Sequence, residues 1–368
     1  MNILIIDNSI AYTGAFKCAL NEAELLRDKH NFIFVLNDKS TLRKAVEEKG
    51  FKVYQIPMVE IKRSLSILLL YPLMLIKNTL ELSSIVKKED VDLVQANDFY
   101  NLLGAMLKKF GYKGKLITYV RFLPSVMPSI LRNLWIKQGL KHSDNLIAVS
   151  DAVLKQLPDN TKAIRIYDPI KLSEKHPGQT HTDSNNVQIL YLSNYIKGKG
   201  QDHALEAFAK AYAYNKQIRL TFMGGDMGLQ KNAQFRAELE QRANDLGLSE
   251  VVTFSPFNSD VEAAIKSFDI VVNFSEAESF SMTCLEAAFY GTALIATKCG
   301  GPEEIIDEDK TGLLVPVGDV DAMSNAILEL ANNPSIREQY AEAGRAYVRN
   351  KFNIEQYLTE MNKLISEQ

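Results

Sequence analysis

Two glutamates with seven residues between them stand in ESFSMTCLE, residues 278–286, where an apolar run meets a helical pattern. Ile270, Val271, Val272 and Phe274 before it suit a buried strand, and Met282, Leu285, Ala288 and Phe289 after it recur at helical spacing. Glu278 is therefore expected at a strand-to-helix corner. Ser279 or Ser281 can cap the helix, and Gly291 supplies its stop. The first-turn N–H groups and positive dipole end of such a helix form an anion site. Glu286 falls about one and a half turns further on, at ~3.6 residues per turn. The corner thus offers a phosphate cradle flanked by two carboxylates that accept from hydroxyls, which suits a sugar nucleotide. The alternative reading is a corner with two solvated glutamates.

The residues that follow, GTALIATKCGGPEEIIDEDKTGLLVPVGDVDAMSNAI, read as a buried strand at 293–296, a Gly300-Gly301-Pro302 turn, a short helix, and a Thr311-Gly312 turn into Leu313, Leu314 and Val315. With them, residues 270–327 resemble the donor-nucleotide half of retaining glycosyltransferases of family 4. The segment YLSNYIKGKGQDHALEAF at 191–208 carries a second specific match, and a likeness of fold alone extends over nearly all of the chain. The resemblance implies that Glu286 accepts from the ribose hydroxyls, that Glu278 contacts the donor sugar and that Lys199 meets the donor phosphates. Phe280, Ser281 and Met282 stand where the family's backbone N–H groups meet phosphate and sugar. Such proteins usually carry an Arg five positions before that Lys. Here Asn194 takes its place, with hydrogen-bond donors but no charge and no bidentate fork. Lys197 is a candidate substitute, unless both lysines belong to a solvated turn.

A departing nucleoside diphosphate develops negative charge, which preorganised cations and backbone dipoles stabilise. No D-x-D stands between apolar strands, so neither a metal clamp nor a cofactor is expected, the nucleotide sugar being a substrate. For retaining members a front-face displacement is the usual proposal, so Glu278 is not assigned as a nucleophile. The first strand is followed only by Thr13-Gly14-Ala15 and not by G-x-G-x-x-G, which argues against a dinucleotide dehydrogenase. Gly224-Gly225, after a strand at 218–223, leaves a nucleotide diphosphate open in the second half, and Gly224 joins the donor-binding candidates. The resemblance gives the first half to the acceptor, and Gly14 there would let a phosphate or an acceptor approach the backbone. Arg121 in ITYVRFLP ends one strand, with Asn97 and Asp98 ending its neighbour. It would meet a phosphate or an acidic sugar, or else form an ion pair with Asp98. Glu278, Lys199 and Arg121 are the catalytic candidates; Asn97 and Asp98 are acceptor-side candidates.

The elements that must position these groups alternate in type. Apolar runs near 2–6, 32–36, 52–56, 92–95, 115–120, 145–149 and 163–167 are separated by helical patterns, which argues a parallel sheet covered on both faces. The polar stretch KLSEKHPGQTHTDSNN at 171–186 reads as a linker. Strands then recur near 187–193, 217–223, 251–254, 269–274, 293–296 and 313–315, and helical patterns at 319–332, 334–350 and 353–366 close the chain. The expected fold is α/β of the GT-B type, two facing Rossmann-like doubly wound domains that meet at one cleft. Residues 1–170 would bind the acceptor, 187–352 the nucleotide-sugar donor, and helix 353–368 would cross back to the first domain.

At 368 residues, 46% hydrophobic and 24% charged, the chain has the composition of an ordinary globular protein. Three cysteines without a C-x-x-C pair argue neither a disulfide framework nor a zinc site, and a reducing cytoplasm fits. Residues 1–170 hold 24 Lys and Arg against 17 Asp and Glu, and the remainder 18 against 28. The run SILLLYPLMLI at 66–76 falls short of the ~20 residues a membrane helix needs. With Lys62, Arg63 and Lys77 around it, residues 62–80 are expected to dock peripherally on an anionic membrane at its inner face. No nucleic-acid partner is expected. The reading is a metal-independent retaining hexosyltransferase-type enzyme moving a sugar from a UDP-sugar to a glycan or glycolipid. The alternatives are a sugar-nucleotide epimerase of the same fold and an inactive glycan-binding scaffold.

Overall fold

The computed structural model describes residues 1–58, 65–170 and 185–366. The expected linker at 171–186 lies outside them except for its last two residues, as do Lys62 and Arg63. Two units form, one of Met1–Lys171 with Ile354–Gln368 and one of Leu172–Asn353.

In the first unit the apolar runs become β1 (Asn2–Asp7), β2 (Asn31–Asn37), β3 (Lys52–Ile56), β4 (Leu93–Ala96), β5 (Lys115–Val120), β6 (Asn145–Ala148) and β7 (Ala163–Arg165). They pair in the order β3-β2-β1-β4-β5-β6-β7, and every pairing is parallel. Consecutive residues Phe32 to Leu36 are all buried, because helices cover both faces and leave no strand face for polar side chains. One core cluster joins Leu4, Ile6, Val35, Val94 and Leu116 of the sheet to Leu82, Ile85 and Val86 of the Leu65–Lys88 helix. That helix extends well past the apolar run that signals it and contains Pro72. No helix among the described residues is long and apolar enough to cross a membrane.

The C-terminal helix, Ile354–Ser366, belongs to this unit. Its Tyr357, Met361, Leu364 and Ile365 are buried along one face, Lys115 Nζ donates to Leu364 O, and Tyr119 Oη lies 3.7 Å from Met361 Sδ.

The second unit contains β8 (Val187–Leu192), β9 (Ile218–Met223), β10 (Val252–Ser255), β11 (Ile270–Asn273), β12 (Ala293–Thr297) and β13 (Leu313–Val315). Their order is β10-β9-β8-β11-β12-β13, again all parallel. Tyr191, Phe208, Phe222, Phe274 and Leu330 are among its buried core. In each sheet the winding direction reverses once, between β1 and β4 and between β8 and β11. At such a switch point the loops after the two strands diverge and leave a crevice where ligands of open α/β sheets bind. The segments expected to do chemistry follow these four strands or β5, with Gly224 following β9.

Candidate donor and acceptor sites

At the switch point of the second unit the loop after β8 is held against the end of β11 by a glycine. Gly200 has φ +78°, and a Cβ there would stand 1.9 Å from Phe274 O, so only glycine lets the two backbones meet. Lys199 is thereby carried beside the next loop. Its carbonyl accepts from Tyr191 Oη, and its Nζ lies 2.8 Å from Glu278 Oε1. Ser275 Oγ donates to the same carboxylate oxygen at 2.8 Å. The Lys199 side chain is 31% exposed and that of Glu278 13%, so the pair keeps a face toward solvent.

The backbone of Glu278 is fixed from both sides, its N–H donating to Cys299 O at 3.2 Å and its carbonyl accepting from Gly301 N at 2.8 Å. Of the two serines that could cap the following helix, Ser281 does so, its Oγ accepting from Cys284 N at 3.4 Å and from Asn273 Nδ2 at 3.1 Å. It adopts φ +77°, a left-handed conformation that costs a non-glycine residue about 1–2 kcal/mol. Met282 is the first helical residue, with its N–H at the open N-terminal end. Phe280 points inward, edge-on to Phe352 at 5.3 Å. Glu286 lies inside the helix and is buried. Neither glutamate is a freely solvated side chain.

The remaining donor-side candidates fall elsewhere. Asn194 Oδ1 accepts from Gly225 N at 3.3 Å and its carbonyl from Gln201 Nε2 at 2.8 Å, tying the loops after β8 and β9 together. Gly224 serves the same packing, since a Cβ there would lie 1.9 Å from Ser193 O. Lys197, the candidate substitute for the missing Arg, holds its ammonium 3.4 Å from Glu238 and over the Phe235 ring. Its side chain is 74% exposed, and the tight turn at Gly198–Gly200 separates its direction from that of Lys199.

The switch point of the first unit is built differently. Gly14 opens the Gly14–Leu26 helix, capped by Thr13, and a Cβ there would meet nothing within 4 Å. Asn97 Nδ2 donates to Asp7 and, at 3.2 Å, to Ala15 O, which pins the helix start to the ends of β1 and β4. Arg121 Nε donates to Asn97 Oδ1 at 2.8 Å, and its guanidinium lies 4.2 Å from the centre of the Tyr119 ring. The alternative of an ion pair between Arg121 and Asp98 does not form: Arg121 pairs with Asp168, and among the described residues Asp98 accepts from the backbone N–H groups of Phe99 and Arg121. Arg121 is 5% exposed, so a ligand would have to displace a buried carboxylate to reach it. Burial drives the Asp98 carboxyl well above the usual carboxylate range.

Glu22 completes this cluster, accepting from Tyr119 Oη at 2.8 Å and Gln95 Nε2 at 3.3 Å. Burial raises its pKa from 4.5 to about 7, against the opposing charge of Arg121. Neither Asp168 nor Glu22 stands out by motif. Glu22 did carry a signal, a carboxylate on the buried stripe between Cys18 and Leu26 of its helix. Asp168, two strands and 47 residues from Arg121, carried none.

Residues 173–347, within the second unit, match the family described as Glycosyl transferases group 1. Among curated relatives, an uncharacterized glycosyltransferase of Methanocaldococcus jannaschii is 27% identical over 77% of this chain and 78% of its own length. The N-acetyl-alpha-D-glucosaminyl L-malate synthase of Bacillus anthracis is 24% identical over 62% of this chain and 61% of its own. A D-inositol 3-phosphate glycosyltransferase of Saccharomonospora viridis is 30% identical over 57% and 53%. The chain thus spans little more than half of the last two. Among solved structures, HepE of Anabaena in complex with UDP and glucose superposes with TM-score 0.84 at 20% identity, over 100% of both chains. Sucrose-phosphate synthase of Thermosynechococcus elongatus does so with TM-score 0.80 at 18% identity, over 99% and 98%. These last likenesses are of fold, two Rossmann-like parallel-sheet domains with a C-terminal helix, as in GT-B proteins.

Proposed function

We propose that the chain is a metal-independent, retaining glycosyltransferase of family 4 that moves a sugar from a UDP-sugar to a glycan or lipid-linked acceptor. The observation that carries this reading is the partly exposed Lys199–Glu278 pair at the β8/β11 switch point, beside the capped start of the Met282–Tyr290 helix. In it Lys199 meets the donor phosphates, with the N–H groups around Phe280, Ser281 and Met282 sharing the charge that develops on the leaving group. Glu278 holds a donor-sugar hydroxyl and Glu286 the ribose hydroxyls. A phosphate arriving at Lys199 would be neutralised by a cation already oriented by Glu278, so little reorganisation accompanies the reaction. The first unit takes the acceptor. Arg121, sealed by Asp168, acts as a positioning residue for the ends of β1, β4 and β5.

The reading is tested by proton NMR of the first-formed product from UDP-sugars without added metal. Retained anomeric configuration is expected. An inverted product, abolished in Asp98→Asn, would replace it with an inverting mechanism based on Asp98. Free UDP released only in the presence of an acceptor separates a transferase from an epimerase, and UDP binding without turnover on any acceptor would favour a scaffold.

A peripheral position at the inner face of an anionic membrane is part of the same proposal. Within the expected 62–80 segment, Leu70, Leu73, Ile76 and Leu80 of the Leu65–Lys88 helix are exposed at helical spacing, with Lys77 beside them. On the Ser129–His142 helix Ile130 is 83% exposed, and Arg132, Lys137 and Lys141 line a depression with Lys155. Exposed apolar side chains on helices that also carry cations without an ion pair among the described residues suit an anionic lipid surface. Sedimentation with vesicles should favour anionic over neutral lipid and weaken with salt; equal binding to both would remove the membrane from the proposal.

A further inference from the structure

On the side of the first unit a depression of about 800 Å³ runs between the Ser129–His142 helix and the turn that leads into β7. Ile136 and Leu157, both buried, give it an apolar lining, and Gln156 Oε1 ties its walls together by accepting from Ser125 N at 2.8 Å. Four cations surround it, Arg132, Lys137 and Lys141 from the helix and Lys155 from the turn. The described residues that line it include no carboxylate.

Elsewhere in the unit cations are matched by carboxylates, Lys49 by Glu24, Lys52 by Glu89 and Lys108 by Asp144. The four around the depression form no ion pair among the described residues. Asp151, four residues before Lys155, is taken by Arg165 at 2.9 Å. The helix end is served without them, because Lys162 Nζ donates to Leu140 O at 3.3 Å and to Ser143 O at 2.9 Å. Arg132 stands near the helix start, where the dipole disfavours a cation, and Lys137 and Lys141, one turn apart, repel each other. Like charges gathered without counterions are unfavourable until an anion joins them.

The surface beside the depression selects the source of that anion. Val126, next to Ser125, and Ile130 and Leu134 of the same helix are exposed. Ile130, Leu134, Lys137 and Lys141 follow at i, i+4, i+7 and i+11, one stripe that is apolar at its start and cationic at its end. A soluble anion would satisfy the cations and leave the apolar half in water, whereas a lipid covers both. Because the cations ring one depression, a headgroup with concentrated charge gains most. A phosphodiester carries a single charge, a phosphomonoester about 1.5–2. The volume falls within the roughly 300–1,000 Å³ of ligand pockets, ample for such a headgroup.

We propose that this depression is a headgroup site for membrane lipids whose phosphate bears more than one negative charge, a phosphomonoester or a diphosphate. The proposal deepens the membrane docking put forward above and rests on it.

The full-length protein is sedimented with phosphatidylcholine vesicles containing either phosphatidic acid, a phosphomonoester, or phosphatidylglycerol, a phosphodiester, adjusted to equal zeta potential. Several-fold tighter binding to phosphatidic acid is expected. The Lys137→Gln, Lys141→Gln double variant should weaken that binding roughly tenfold to thirtyfold, as for two lysines near an anionic surface, and bring the two lipids level. Lys29→Gln with Lys39→Gln, which removes two exposed lysines elsewhere on the unit, should keep the preference. Ile130→Ser should weaken binding to both lipids alike. Equal binding of the unaltered protein to both lipids overturns the headgroup site and spares the docking, whereas binding to neither overturns both. A preference that survives the Lys137 and Lys141 changes, or that is lost with Lys29 and Lys39, overturns the placement. Calorimetric saturation by inorganic pyrophosphate without vesicle binding overturns the lipid source and gives the depression to a soluble phosphate.

Discussion

Both sheets gather charged groups at their switch points, but they use them in opposite ways. In the first unit Asp7, Asn97, Arg121 and Asp168 lie within a sealed network, each buried and each satisfying another. In the second, Lys199 and Glu278 form a pair with a solvent-facing side, at the end of a helix whose first N–H groups have no intrahelical partner. A buried pair of charges has already lost its water, so it gains most by staying together and orders the backbone around it. A partly exposed pair can exchange its partner for a ligand at small cost. Position at a switch point therefore does not by itself mark a ligand contact, and accessibility of the charge decides.

The largest expected effect breaks the buried side of this comparison. Arg121→Met leaves Asp168 as an uncompensated buried carboxylate and should cost about 3–5 kcal/mol in chemical denaturation. Much of that should return in the Arg121→Met, Asp168→Leu double variant. A loss below about 1 kcal/mol in the single variant would mean that the pair is wet.

Glu22 sharpens the same contrast through pH. Its folded pKa of about 7 lies above the ordinary 4.5, so the folded state holds a proton that the unfolded chain has already released. Stability should fall as pH rises from about 4.5 to about 7, by on the order of a few kcal/mol at about 1.4 kcal/mol per pKa unit. Glu22→Gln should flatten that slope. Parallel stability curves for the two proteins would show that Glu22 is ionised throughout.

In the second unit the effects should appear in ligand binding and turnover. Glu286→Ala should weaken UDP binding in calorimetry by about 1.5–3 kcal/mol, the range for hydrogen bonds to a charged group. Unchanged affinity would remove the ribose role. The smallest stability change is expected for Lys199→Met, under about 1 kcal/mol as for exposed pairs. Turnover should nevertheless drop more than affinity, because the charge acts mainly as the leaving group develops. Normal turnover in that variant would move the phosphate contact elsewhere.

The strands of both sheets were legible within about two residues, since parallel strands buried on both faces must be apolar throughout and the helices between them show a different period. The corner at 278–286 was legible for the same reason: strand, cap and helix are contiguous in the chain, and spacing alone sets where Glu278 and Glu286 fall. The orientation of Lys197 away from Lys199 was not, because two lysines separated by one glycine have identical sequence signatures and the positive φ of Gly198 turns the backbone between them.

Sequence alone determined which segments bury themselves and where the loops that could bind a nucleotide begin, because those properties follow from local periodicity and turn chemistry. Tertiary structure decided which charges meet. Arg121 has carboxylates at several distances along the chain, and only the packing of the segment after β7 against β5 selects Asp168 over Asp98. It likewise converged Trp135, Asn78, Tyr100 and Phe122 on one cavity. Contacts between residues far apart in sequence depend on the packing of whole elements, and no local pattern in a single chain encodes them.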